Sequence, residues 1–461
     1  MGEERGSPLG LADLRSLVDR DEIDTVVTAA CDMQGRLVGK RVSGRFFVDH
    51  LADHGSHLCT YLFGTDMEMT TPAGYALMNW ETGYGDYLNR PDWSTLRLIP
   101  WLEKTALVLG DVVDEAAGEL VPVAPRSILR RQVERLEGMG MRPMMASELE
   151  FYLVRETYEE AEAKGFAGLR PWGWYNEDYH ILQPTKAEPL YRRFRTLLGQ
   201  AEVPIEFSKG EAGPGQHEVN IHYAGALESA DRATLLKHGA KEMAAQQGCS
   251  VTFMAKPYQE WTGSSSHIHL SLWNLDGTTN LFPAGDGNGG AMSDTMRWFL
   301  GGLLAGAREL SLLVASTINA YKRYAVASWA PVNIVWARDN RTCGFRIVGH
   351  GPSLRIENRL PGADANPYLA YAAVLAAGIR GVEHRIEPPP EFRGNGYAAT
   401  GCDRVPRAMY EAIEAFQRSD LAREAFGDAV VDHYLNMARV EQAAYDASVG
   451  DWERRRYFER G

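Results

Sequence analysis

The sequence has little of what a secreted, membrane-spanning or nucleic-acid-binding protein requires. Its five cysteines are odd in number, scattered and without a Cys-x-x-Cys pair, a pattern typical of reduced thiols in a cytoplasmic protein. The best candidate for a membrane span, from Phe299 to Ser316, is interrupted by Arg308 and Glu309. The formal net charge of −13 argues against nucleic acid or an anionic membrane as a partner. We therefore predict a cytoplasmic protein that has neither partner.

The sequence also lacks a P-loop for phosphate binding. Its glycine-rich segment at 284–290 is not followed by Gly-Lys-Ser/Thr, and we interpret this segment as a surface turn. The acidic net charge does not exclude a local basic site for a phosphate ligand. Such a site has to be built from charged residues elsewhere in the chain.

The length of 461 residues exceeds what one typical hydrophobic core supports, which indicates more than one domain. Short strand patterns occur at 24–30, 37–42 and 106–113, and we interpret the segment 61–92 mostly as loop. These patterns predict a small α+β domain over residues 1–118.

The remaining residues, 119–461, predict a larger catalytic domain. Helical patterns cover 125–138 and roughly 293–315, and the chain from 366 onward is mostly helical. Between the helical segments lie short alternating runs with hairpin-like spacing. This arrangement predicts an α+β domain in which helices flank an antiparallel sheet.

A pair of carboxylates on one predicted strand is the strongest local signal. Glu148 and Glu150 lie within an apolar run that ends at Val154, and alternate strand residues share a face. Two adjacent carboxylates repel each other and are costly to bury. On its own, such a pair is more often a solvated sheet face. A bound cation would remove both penalties, and other charged residues downstream favour that interpretation.

Three further pairs follow with related spacing. Glu211 and Glu218 flank a Gly/Pro turn that can bring them together, although a charged surface loop is the alternative. His267 and His269 share one face of an alternating run and favour a metal or phosphate contact. Glu357 and Arg359 have the same spacing, and an ordinary salt bridge is the alternative.

Several arginines supply the opposite charge. They lie in or near β-rich runs, and phosphoryl transfer needs such a positive wall beside carboxylate-held ions. Mg²⁺ and Mn²⁺ prefer carboxylate oxygens with an occasional imidazole. The residues predict a site for a divalent ion and a nucleotide, with these arginines: Arg323, Arg341, Arg346 and Arg355.

These motifs together resemble the glutamine synthetase family, type I. The similarity covers most of residues 145–370, and the N-terminal part matches more loosely. It rests on the segments Glu148-Leu149-Glu150-Phe151, 210–218, 253–257, 263–272, 319–323, 340–346, Glu357-Asn358-Arg359 and 365–368.

The resemblance implies a β-grasp N-terminal domain, a larger catalytic domain and a homododecamer with active sites between subunits. It implies that Glu150, Glu211 and Glu218 hold one Mg²⁺ or Mn²⁺ ion. It assigns the second ion to Glu148, His267 and Glu357. It also implies that His269, Arg341 and Arg346 contact the ATP phosphates and that Arg341 is catalytic as well. Glutamate would be bound by Gly263, Arg323 and Arg359.

Two departures from the family pattern concern the ammonium site. The family carries a glutamate six residues after the Arg of its Tyr-Lys-Arg motif, whereas Trp329 stands there in this chain. The Phe-Asp-Gly-Ser-Ser segment is also missing, and Asp66 lies in the corresponding region. Tryptophan cannot act as a base but offers a wall for an alkylamine. We therefore predict an amine other than ammonium, with Trp329 and Asp66 in the catalytic site. Trp329 would form a wall for the amine, and Asp66 is one candidate to accept its proton.

In these features the chain resembles actinobacterial paralogues that join glutamate to amines, with products that include γ-glutamylethanolamide and γ-glutamylpolyamines. We favour ethanolamine, because a polyamine needs an acidic entrance, to which only Glu68, Glu81 and Asp86 would contribute. Polyamines, ammonium and a non-catalytic nucleotide-binding paralogue stay as alternatives. The regulatory tyrosine of adenylylated relatives falls near Tyr397, but the flanking sequence differs from the family's and gives no basis for predicting modification.

Overall fold

A seven-stranded sheet organises the N-terminal part of the protein. The structure is a computed structural model that describes residues 9–285 and 290–461, so most of the predicted turn at 284–290 lies outside the described residues. The strand order is β2-β1-β6-β4-β3, with β5 and β7 also on β6, and only β1 and β6 run parallel. The strands are β1 (Thr25–Cys31), β2 (Leu37–Ser43), β3 (Ser56–Cys59), β4 (Asp86–Pro91), β5 (Arg97–Leu98), β6 (Thr105–Asp114) and β7 (Glu119–Leu120).

Helical segments of this part are short. One turn of α2 continues directly into a π-helix at Phe47–Leu51. The prediction of loop over 61–92 is wrong at its end, because β4 pairs there with both β3 and β6. The sequence of β4 contains Asn and Pro, which are poor strand formers, and its two neighbours supply the hydrogen bonds that hold it. The helices are α1 (Leu11–Asp19) and α2 (Gly44–Phe46).

The second sheet carries nine strands and is the larger one. Its order is β14-β15-β16-β13-β8-β10-β9, with β11 and β12 also on β8. Every pair is antiparallel except β14 with β15, which agrees with the predicted antiparallel sheet. The strands are β8 (Met141–Val154), β9 (Ile205–Gly210), β10 (Gln216–Ile221), β11 (Ala224–Gly225), β12 (Ser250–Thr252), β13 (Ser266–Asn274), β14 (Trp336–Arg338), β15 (Phe345–Val348) and β16 (Arg355–Asn358).

Helices cover this sheet and form most of the C-terminal half. The predicted helix over 125–138 is confirmed, whereas the one over 293–315 is interrupted after Gly306, where Arg308 donates to the carbonyl of Arg404 at 2.7 Å. No helix among the described residues is long and apolar enough to cross a bilayer. The helices are α3 (Pro125–Gly138), α4 (Tyr158–Ala163), α5 (Leu182–Thr185), α6 (Glu188–Gln200), α7 (Ala226–Gln246), α8 (Asp294–Gly306), α9 (Ser311–Val314), α10 (Ile318–Tyr321), α11 (Pro367–Glu383), α12 (Met409–Gln417), α13 (Asp420–Phe426), α14 (Asp428–Ala447) and α15 (Asp451–Tyr457).

A buried arginine joins two helices to the N-terminal sheet. Arg126, on α3, donates to Asp231 of α7 at 3.0 Å and to Asp92 at 2.8 Å, and it also bonds Asp111 of β6. A buried guanidinium is stable only when its donors are satisfied, and here three carboxylates accept them. This network holds α3 and α7 against the N-terminal sheet.

Candidate active site

The register of the larger sheet brings the predicted acids and imidazoles into one row. Glu150 on β8 lies directly opposite Glu218 on β10, and Glu148 lies opposite His267 on β13. Facing residues on neighbouring strands have Cβ atoms about 5 Å apart. The carboxylates therefore gather by backbone pairing rather than by the choice of side-chain rotamer.

A cavity of about 670 Å³ opens over this row. Most of the residues predicted from the sequence line it, and three do not: Glu357 and Arg323 are buried behind its wall, and Asp66 lies elsewhere. The predicted residues in the lining are Glu148, Glu150, Glu211, Glu218, Gly263, His267, His269, Trp329, Arg341, Arg346, Arg355 and Arg359.

The first acidic group consists of Glu150, Glu211 and Glu218, whose ligand atoms lie within 4.8 Å of one another. Burial and the neighbouring Glu211 raise the pKa of Glu150 to about 8. Burial, then Glu148 and Glu211, raise the pKa of Glu218 well above its usual value. Three carboxylates in this space resist ionisation unless a cation joins them. The donor set suits Mg²⁺ or Mn²⁺, which take carboxylate oxygens.

The second group contains two imidazoles. Glu148 bonds His267 Nδ1 at 3.0 Å and His269 Nε2 at 2.8 Å, and the pair lowers the Glu148 pKa well below its usual value although burial opposes the shift. The ligand atoms of Glu148, His269 and Glu357 lie within 4.8 Å of one another, as do those of Glu148, Glu218 and His267.

Both imidazoles lie near the predicted ligands of the second ion. His267 Nδ1 is 3.0 Å from Glu148 and 3.7 Å from Glu357, so the predicted set of Glu148, His267 and Glu357 stays a prediction. His269 lies directly opposite Glu357, because β13 and β16 pair these two residues. His267 Nε2 is buried without a hydrogen-bond partner. A buried ring nitrogen with a free position fits a metal ligand, so a second divalent ion fits these residues as well.

Arginines line the cavity beside the second group, because β15 and β16 pair Arg346 directly with Glu357. Arg346 donates to Glu357 Oε2 at 2.9 Å and Arg359 bonds its other oxygen. Burial opposes ionisation of Glu357, but Arg359 and the two histidines hold its pKa at about 2. Glu357 is therefore a permanent anion that fixes both arginines. Arg341 lines the cavity beside them.

Arg323, a predicted substrate contact, is buried. Its side chain is packed behind Gly263, and one nitrogen donates to the carbonyls of Leu360 and Pro361 at 2.5 and 2.7 Å. Its Nε and Nη1 have no partner. A Cβ on residue 263 would lie 2.5 Å from Arg323 Cγ, so only glycine fits between the cavity and this guanidinium.

Trp329 and Asp66, the two residues where the sequence departs from the family pattern, lie in different cavities of the chain. Trp329 lines the cavity, is 58% exposed and has a positive φ of 63°. Asp66 lines a separate cavity with Arg36 and Lys322, and its carboxylate accepts hydrogen bonds from Thr70. Within one chain Asp66 therefore does not reach the site.

The structure adds cavity residues that the motifs did not identify, notably Lys209, Asp178 and Tyr179. Lys209 on β9 lies directly opposite Glu218 and bonds Glu211 and Asp178. Its position two residues before Glu211 was the available signal. Asp178 and Tyr179 come from an irregular segment whose path no local pattern predicts.

This fold and this carboxylate–imidazole–arginine site place the chain in a class of ligases. Residues 122–457 match the family model for the catalytic domain of glutamine synthetase. The chain belongs to the glutamine synthetase family, and the predictions of this family, its fold and an ATP-dependent ligase that joins an acid to an amine are confirmed.

The similarity to individual relatives extends over nearly the whole chain. A γ-glutamylethanolamide synthetase, GlnA4, of Streptomyces coelicolor is 50% identical over 457 residues, which cover 99% of this chain and 97% of that protein. A glutamate–isopropylamine ligase of Pseudomonas sp is 38% identical and covers 97% of both chains. The solved structure of apo GmaS has a TM-score of 0.84 at 29% identity, covering 97% of this chain and 100% of its own.

Proposed function

We propose that the protein is a γ-glutamylethanolamide synthetase. It joins the γ-carboxylate of L-glutamate to the nitrogen of ethanolamine while ATP becomes ADP and phosphate. The observation that carries the choice of amine is Trp329 in the cavity wall, together with the 50% identity to the Streptomyces coelicolor enzyme. A tryptophan removes a carboxylate that would otherwise bind ammonium and adds apolar surface for an alkyl chain.

The first step activates glutamate. A γ-carboxylate oxygen attacks the γ-phosphorus of ATP, ADP leaves and γ-glutamyl phosphate forms. Mg²⁺ or Mn²⁺ held by the two acidic groups would neutralise the phosphate oxygens during transfer. His269, Arg341 and Arg346 lie in the same wall and orient the triphosphate, and Arg359 and Gly263 position the amino acid.

The second step forms the amide. The amine nitrogen attacks the acyl carbon, the phosphate leaves, and the nitrogen loses one proton. Trp329 has no group that accepts this proton, so the amine enters as the free base or gives its proton to water or to a carboxylate. Asp66 is our candidate for that carboxylate. This role requires a site shared between subunits, which the proposed homododecamer would provide.

Polyamines are the main alternative substrate. A second ammonium group needs an unpaired carboxylate in or near the cavity. The cavity contains Asp178 and Asp339 besides the metal-binding acids, and each is paired, with Lys209 and Arg346 respectively. Within one chain Glu68, Glu81 and Asp86 do not line it. These contacts favour a small neutral tail on the amine.

The test is phosphate release by the purified protein with each component omitted in turn. We expect release only when ATP, glutamate, Mg²⁺ and ethanolamine are all present, and γ-glutamylethanolamide as the product in the mass spectrum. Faster release with putrescine or spermidine would support the polyamine alternative. No release with any amine, while ATP still binds, would support a non-catalytic paralogue.

The proposal includes a cytoplasmic location, which the five free cysteines support.

A further inference from the structure

Lys209 places a positive charge beside the first acidic group, whose carboxylates repel one another. The pairing of β9, β10 and β8 sets Lys209 opposite Glu218, and Glu218 in turn opposite Glu150. The three side chains therefore share one face of the sheet. The Lys209 ammonium bonds Glu211, the third member of the first acidic group. A positive charge thus lies inside the set of carboxylates that fits a divalent ion.

The surroundings of Lys209 hold it there. Its side chain is 16% exposed, and the ammonium lies 4.4 Å from the centroid of the Tyr179 ring. An ammonium bonded to Glu211 and set opposite Glu218 compensates part of the repulsion among Glu150, Glu211 and Glu218.

A divalent ion bound to Glu211 would repel an ammonium that is hydrogen-bonded to the same carboxylate, which weakens the contact between Lys209 and Glu211. A second carboxylate, Asp178, can accept the Lys209 ammonium. Asp178 Oδ1 is 3.2 Å from the ammonium, and Asp178 is 43% exposed, so a move toward it leaves no buried unpaired charge.

We propose that Lys209 is a built-in counter-cation for the first acidic group, and that a divalent ion has to displace it from Glu211 toward Asp178. Lys209 then sets how tightly this position binds the metal, and it stabilises the carboxylates when no ion is bound. The inference rests on the proposed function, in which Glu150, Glu211 and Glu218 bind the first ion.

The experiment measures Mn²⁺ binding to the full chain by calorimetry, without nucleotide, and thermal unfolding in the presence of EDTA. Lys209→Met removes the charge and retains most of the volume. We expect it to bind Mn²⁺ more tightly by about fivefold or more, and to unfold at a lower temperature without metal. Lys209→Arg keeps the charge, and we expect Mn²⁺ binding equal to or weaker than that of the unsubstituted protein.

Arg338→Gln is the matched control for a general charge effect. Arg338 is exposed, lines the same cavity and makes no described contact with the acidic groups. We expect its Mn²⁺ affinity to stay within about twofold of the unsubstituted protein. Equal changes in Lys209→Met and Arg338→Gln, or weaker binding by Lys209→Met, would overturn the inference. Failure of the unsubstituted protein to bind Mn²⁺, or unchanged binding by Glu211→Gln, would instead refute the metal site itself.

Discussion

The raised pKa of Glu150 predicts that metal binding depends steeply on pH. Burial and Glu211 raise this pKa from 4.5 to about 8, so the carboxyl keeps its proton at neutral pH while no ion is bound. An ion binds the ionised form, and binding must release the proton. The affinity is therefore full above about pH 8 and falls as the pH is lowered through that value.

The size of the effect follows from the same pKa. Between pH 8.5 and pH 6.5 the ionised fraction of a group with a pKa of about 8 falls roughly 25-fold, which weakens binding by about 2 kcal/mol. Glu218, whose pKa is also raised, adds to this dependence. Glu148 does not, because its pKa is held low and it is ionised throughout this range.

Calorimetric titration of Mn²⁺ in two buffers with different ionisation enthalpies measures both the affinity and the protons released. We expect close to one proton from Glu150 at pH 7, and its loss in Glu150→Gln, which cannot ionise. Glu148→Gln is the matched control and should bind less tightly yet still release the proton of Glu150, whose raised pKa comes from burial and Glu211. Affinity that is independent of pH, or proton release unchanged in Glu150→Gln, would refute the reasoning.

Three further predictions concern the reaction. Trp329→Glu should raise phosphate release with ammonium by roughly tenfold and lower release with ethanolamine, whereas Trp329→Phe should keep the preference for ethanolamine; an unchanged ratio in both variants would show that this residue does not select the amine. The rate with ethanolamine should increase as the pH approaches the pKa of the amine, and a flat profile from neutral to alkaline pH would exclude attack by the free base. Arg346→Gln should weaken ATP binding about tenfold in an equilibrium titration, and unaltered binding would remove Arg346 from the phosphate contacts.

The sequence predicted which residues share a face of a strand, but not which residues lie opposite them on the neighbouring strands. Residues at i and i+2 share a face, so the pairs Glu148 with Glu150 and His267 with His269 were evident from spacing. Register between strands depends on contacts across the sheet, which spacing does not encode. The sequence therefore could not show that His269, rather than His267, lies opposite Glu357.

Long-range placement accounts for what else the sequence analysis missed. Lys209 comes close to Glu218 only because β9 pairs with β10. Asp178 reaches the cavity from an irregular segment. Arg323 lies buried behind Gly263, a placement that a motif cannot reveal, and its predicted role in binding substrate stays a prediction. Asp66 lies on the N-terminal part of the chain, and its predicted role depends on a neighbouring subunit.

The most direct test of the central claim compares amines under one set of conditions, with phosphate release as the readout and ATP, glutamate and Mg²⁺ at saturating levels. If Trp329 shapes the cavity for an alkylamine, ethanolamine will support far faster release than ammonium, putrescine or spermidine. Release with ammonium that equals or exceeds release with ethanolamine would contradict the account.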